Sequence, residues 1–185
     1  MMLGRALAAA TLAASLLAAP VARADDARLV PSWMKPNAAA KLVTLDIVAG
    51  FNANNGALNF NGYYTGDMTV VVPVGWTVEI DFRNHDAMLP HSLLVTKPFA
   101  KDHFPGLAGV NEVAIPRAYT NNPEEGIPSP KGDTLRFVAK TAGEYYFFCG
   151  APGHGQAGMW TRFKVDGGAD TPYVVVSQGA DPGRR

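Results

Sequence analysis

Hydrophobic and polar residues alternate along much of this chain with the two-residue period of strands that keep one face in a core. The clearest run is Trp76-Thr77-Val78-Glu79-Ile80-Asp81-Phe82, where every second side chain is apolar. Lys41 to Val48 alternates similarly, Met68 to Val72 is rich in Val and Thr, and Pro73-Val74-Gly75 supplies a turn before the next run. Further strands are predicted at His91–Thr96, Thr134–Ala139, Glu144–Cys149 and Met159–Val165, punctuated by Gly132-Asp133 and Gly143. The tail from Asp166 is read as adding a short strand at Tyr173–Val176. Beyond the N-terminal leader no stretch carries a long helical period, so the pattern predicts an all-β sandwich or barrel.

Two segments stand outside that pattern. Residues 25–40, with Pro31, Pro36 and an Ala run, read as a loosely tethered lead-in to a domain spanning 41–185. Lys97 to Lys131 is broken repeatedly by Pro and Gly, and a loop of that length in a compact domain is usually functional or carries short structure of its own. It is read as an insertion, ahead of the last strands, that covers one side of the sandwich.

The first two dozen residues change the picture again. Arg5 precedes an Ala/Leu-rich run from Ala6 to Ala19, Pro20 breaks it, and Ala22-Arg23-Ala24 has the form of a cleavage site. Residues 1–24 are therefore expected to be a signal peptide, which places the mature protein in the periplasm or otherwise outside the cytoplasm. No second apolar segment approaches spanning length. With 16 basic and 16 acidic residues in the whole chain, charge offers no case for nucleic-acid binding. Loss of the leader removes Arg5 and Arg23 and no acid, leaving 14 − 16 = −2.

An exported protein usually pairs its cysteines, yet this one has only Cys149. Its surroundings point to chemistry rather than an inert core thiol. The run Tyr145-Tyr146-Phe147-Phe148-Cys149-Gly150-Ala151-Pro152-Gly153-His154-Gly155-Gln156-Ala157-Gly158-Met159 sets a thiol, an imidazole and a thioether at C-x4-H-x4-M spacing, and Leu89-Pro90-His91 puts a second imidazole at a strand start. Thiolate and thioether suit cuprous ion, imidazole suits both copper states, and two His, one Cys and a long axial Met form the blue-copper ligand set. Zinc fits less well, because its usual sites take Cys, His and carboxylates. The metal ligands are thus read as His91, Cys149, His154 and Met159, holding one type 1 copper ion. His85 and His103 are spare imidazoles, and Asp86 beside His85 lacks the companions of a second metal site.

These motifs resemble those of the cupredoxins, and within them the sulfocyanins and the related rusticyanins, which share the C-x4-H-x4-M loop length. Leu58-Asn59-Phe60-Asn61-Gly62, continuing to Thr65-Gly66, is similar to the sulfocyanin signature F-N-F-N-G-T-S-x-G, with Leu58 in place of Phe and Tyr63-Tyr64 in place of Thr-Ser. The likeness runs from about Leu42 to Val165. It implies a cupredoxin-type Greek-key sandwich and a monomeric carrier that passes single electrons between transient partners such as cytochromes or a terminal oxidase. It also implies an exposed edge of His154 as the electron exit, and a bond from Ser92 across to the Cys149 loop. Met88, Leu89, Pro90, Pro152, Gly153 and Ala157 are expected to form an apolar patch around that edge, and Phe147 and Phe148 to wall the site.

Other functions meet obstacles in the residues. A copper enzyme needs a second, open copper site, and only four His are present in the chain, two of them committed. A copper chaperone would expose its ligands, and a metal-free binding module would be expected to have lost one.

Overall fold

The computed structural model describes residues 28–100, 103–177 and 180; the leader read at 1–24 lies outside them. In chain order the strands are β1 (Met34–Asn37), β2 (Leu42–Ala49), β3 (Met68–Pro73), β4 (Thr77–Asn84), β5 (Leu94–Thr96), β6 (Gly132–Val138), β7 (Gly143–Phe148), β8 (Trp160–Asp166) and β9 (Tyr173–Val176). They form two sheets, ordered β1-β2-β4-β6 and β5-β7-β8-β3-β9. β2 runs parallel to β4, with Leu45 beside Ile80, and β3 runs parallel to β8, with Val70 beside Phe163. Because β3 lies in one sheet between two neighbours of the other, the chain laces the layers together. Among the described residues no helix is long and apolar enough to cross a membrane.

The alternation that predicted the strands decides which face is buried. In β2, Val43, Leu45, Ile47 and Ala49 are buried, while Thr44 and Asp46 on the other face are partly exposed. Val78, Ile80 and Phe82 of β4 join them from the same sheet. Val70, Tyr145, Phe147, Phe163 and Val165 meet them from the other, with Phe147 stacked on Phe163 at 4.8 Å. Each large side chain buried this way contributes about 1.5–3 kcal/mol. The expected all-β sandwich is thus the observed one.

Over residues 29–37, the segment expected to be a loose lead-in is instead part of the fold. Met34–Asn37 pairs antiparallel with β2, Met34 is only 3% exposed, and Leu29 exchanges backbone hydrogen bonds of 2.8 and 2.7 Å with Val174. Only one of the four β1 residues turns inward, so side-chain periodicity has nothing to report there. The run His91–Thr96 also differs from expectation. Only Leu94–Thr96 forms regular ladder, and His91 reaches Ile127 through an isolated bridge.

That bridge shows what the insertion does. Thr96 bridges Val113, Leu94 bridges Tyr119 and His91 bridges Ile127, so the 97–131 segment runs along the free edge of β5. An edge strand is thereby covered rather than left open. The segment includes a short 3-10 turn at Val110–Glu112.

Candidate metal centre

The same strand alternation aims Cys149. Tyr145 and Phe147 of β7 face the core, and Cys149, two residues on, continues that face with no exposure. Phe148 points the other way, into an outer aromatic cluster in which its ring lies within 5.0 Å of Phe99 and parallel to Phe104. One of the two phenylalanines is therefore core and the other backs the ligand loop from outside.

Beyond Cys149 the chain folds back in consecutive turns. His154 N donates to Ala151 O, Ala157 N to Gly153 O, and Met159 N to His154 O. Cys149 N donates to Met159 O at 3.1 Å, closing the loop. Two glycines serve this path for different reasons. Gly153 has φ of +75°, where an L side chain is strained, whereas a Cβ on Gly155 would collide with the Phe148 ring.

The result is a tight group of donors. Nδ1 of His91 lies 3.2 Å from Nδ1 of His154, and Sγ of Cys149 lies 3.5 Å from the latter. The three donor atoms fall within 4.8 Å of one another. His91 is fully buried and His154 half-buried. Met159 is buried in the same core cluster as Cys149 and Phe147. His85 and His103 are exposed and stand outside this group.

The donors fit a transition ion. Nitrogen at about 2.0 Å and sulfur at about 2.3 Å from a common metal stand roughly 3.2–3.8 Å apart at near-trigonal angles; the His91–His154 and Cys149–His154 separations lie in that range, and the third pair lies within 4.8 Å. Burial lowers the pKa of His91, and burial followed by the neighbouring His91 lowers that of His154, which favours the neutral imidazoles whose lone pairs a metal takes. Burial pushes the Cys149 thiol up, against the pull of the Ser92 and Ala151 N–H groups. A cation at this point would offset the cost of the thiolate.

Ser92 ties the ligand segments as expected. Its N–H points at Cys149 Sγ at 3.4 Å, its hydroxyl donates to Pro123 O at 2.6 Å and accepts from Gly150 N at 2.9 Å. The insertion is thus bonded to the ligand loop through one buried hydroxyl. Ala108 N adds a bond to Gly150 O, and Gly106 O accepts from Gly153 N at 2.7 Å.

Other supports were not foreseen. Asp86 Oδ2 lies 3.0 Å from His91 Nε2. With His91 neutral, this is a hydrogen bond from imidazole to carboxylate rather than an ion pair. The Asn-rich segment holds the other end of the loop: Asn55 Nδ2 donates to Ala157 O at 2.9 Å, and Thr65 N to Gly158 O at 2.8 Å. Asn59 and Asn61 are buried and bond to backbone groups of 46–62 rather than to the metal group. Asp86 sits five residues before His91, at a spacing that matches no ligand motif.

Two layered sheets with an inward thiol, two converging imidazoles and a buried thioether at the loop's end define a blue copper protein of the cupredoxin class, with one type 1 copper ion. A model of the sulfocyanin (SoxE) domain matches residues 32–176. Sulfocyanin of Sulfolobus acidocaldarius is 30% identical over 139 residues, 74% of this chain and 69% of that one. Rusticyanin of Acidithiobacillus ferrooxidans is 30% identical over 101 residues, 52% of this chain and 59% of that one. Similar solved structures include dithionite-reduced auracyanin of Roseiflexus castenholzii, at 20% identity and TM-score 0.48, covering 66% of this chain and 96% of that one. The chain belongs to the sulfocyanin family, whose members are electron carriers and not enzymes.

Proposed function

We propose that this chain is an exported carrier that moves single electrons between redox partner proteins, its copper held by His91, Cys149, His154 and Met159. The observation that carries this reading is the convergence of three buried or half-buried donors within 4.8 Å. When bound, copper supplies the one-electron Cu(I)/Cu(II) couple. The chain's residues do the rest. Ser92, Asn55 and the loop's own turns hold the donors in place, which limits rearrangement when charge changes. His91, Cys149 and Met159 have no exposure, which excludes water and leaves half-buried His154 as the ligand nearest the surface.

The rim around His154 suits short encounters. Met88 is 88% exposed, Leu89 40% and Leu107 48%, and Pro152 and Ala157, on the His154 loop itself, are exposed too. Leu107 follows Gly106, the residue bonded to Gly153, so the insertion extends the apolar rim. Redox encounters bury little area and must release quickly, which a small apolar surface allows. Export rests on the leader, and the partners are transient redox proteins such as cytochromes or a terminal oxidase. The test is electron exchange by copper-loaded protein and Ala157→Lys, followed as self-exchange line broadening and as transfer to a cytochrome. Slower exchange with an unchanged visible spectrum is expected; equal rates would remove the rim from the account.

A further inference from the structure

Asp86 is held more firmly than a surface turn requires. Its Oδ1 accepts from Met88 N at 2.9 Å and Leu89 N at 3.2 Å, leaving Oδ2 for His91 Nε2 at 3.0 Å. Its own N–H donates to Asn84 Oδ1 at 2.8 Å. Asn84 is fully buried, and its Nδ2 donates to Leu89 O and Ile127 O, each at 2.8 Å. Gly50 comes so close that a Cβ there would lie 2.7 Å from Asp86 Cβ. The strand end, the loop before His91 and the insertion therefore all converge to place this carboxylate.

We propose that Asp86 is a positioning residue for the metal centre: it keeps the proton of His91 on Nε2, bares Nδ1 towards Cys149 and His154, and biases bound copper towards the oxidised state. This rests on the reading of His91 as a ligand. Two features support it. Asp86's side chain is 8% exposed and His91's 0%, so the charge acts through protein rather than water. A carboxylate also has the acceptors the place demands, one oxygen for the turn amides and one for the imidazole. An asparagine has a single oxygen, so either the turn or the imidazole would face an N–H. A carboxylate hydrogen-bonded to a ligating His fixes its tautomer and raises its donor strength, and donor strength favours the more highly charged metal.

The tautomer test needs no variant. Two-bond 1H–15N correlation of the copper-free and Cu(I) proteins should show His91 protonated at Nε2; protonation at Nδ1 in the copper-free protein would overturn the proposal. In copper-loaded Asp86→Asn, the Cu(II)/Cu(I) affinity ratio should fall about tenfold, a rise in potential of about 59 mV for one electron, with the blue band retained. A merely structural role predicts lower stability with potential and tautomer unchanged, and that result would also overturn it. Wild-type protein that forms no blue site refutes the copper reading itself. A blue wild type beside an unshifted Asp86→Asn refutes only the role of Asp86.

Discussion

Replacing Ser92 by alanine removes one oxygen and unpairs two buried groups. The Ser92 hydroxyl spans Pro123 O at 2.6 Å and Gly150 N at 2.9 Å, and Ser92, Pro123 and Gly150 are all buried. Each buried group left without a partner costs about 1–3 kcal/mol, so Ser92→Ala should destabilise the copper-free protein by roughly 2–6 kcal/mol. Urea unfolding, with a slope of about 2 kcal/mol per M, would show this as a midpoint lowered by roughly 1–3 M. The variant should still take up copper, because the Ser92 N–H directed at Cys149 Sγ comes from the backbone and survives. Its reduction potential should shift, since the Gly150 end of the ligand loop loses one of its ties to the insertion, keeping only the Ala108 N bond to Gly150 O. Loss of less than about 1 kcal/mol, the net worth of one ordinary hydrogen bond, together with an unchanged potential would refute the argument that this hydroxyl fastens the two segments.

Met159 should act through its sulfur. Met159→Leu removes a fourth donor and makes the site more apolar, which disfavours the more highly charged Cu(II), so the potential should rise; Met159→Gln offers a harder oxygen that favours Cu(II) and should lower it, both read by voltammetry. Identical potentials in the two variants would make Met159 plain core. Gly153 and Gly155 of the loop should also differ in calorimetry. Gly155→Ala forces the Phe148 ring aside and should cost about 1–3 kcal/mol by overpacking, and it should broaden the copper EPR signal. Gly153→Ala has open space around it and bears only the strain of its φ of +75°, about 1–2 kcal/mol, with the signal unchanged.

Strands whose side chains sort themselves between core and solvent could be read from the chain. Val78, Ile80 and Phe82 needed nothing beyond a period of two, and β9 falls at Tyr173–Val176 as the sequence predicts. β1 could not be read, because an edge strand is held by backbone bonds that any residue makes, and only Met34 of its four turns inward. Cys149, His154 and Met159 were legible because a short loop brings them together without help from the fold. His91 needed the softness of the other three as context. Asp86 was passed over since its place depends on Asn84, Gly50 and the insertion, which meet only once both sheets are assembled. The insertion announced its length through its prolines, but not its course along β5 and onto Gly150.

The most direct test is the visible absorption and EPR spectrum of the mature protein after Cu(II) loading, recorded beside Cys149→Ser. The account predicts an intense blue thiolate-to-copper band that bleaches with a mild one-electron reductant, returns on reoxidation and is absent from the variant. A colourless or weakly coloured wild type, or a band that survives Cys149→Ser, would contradict it.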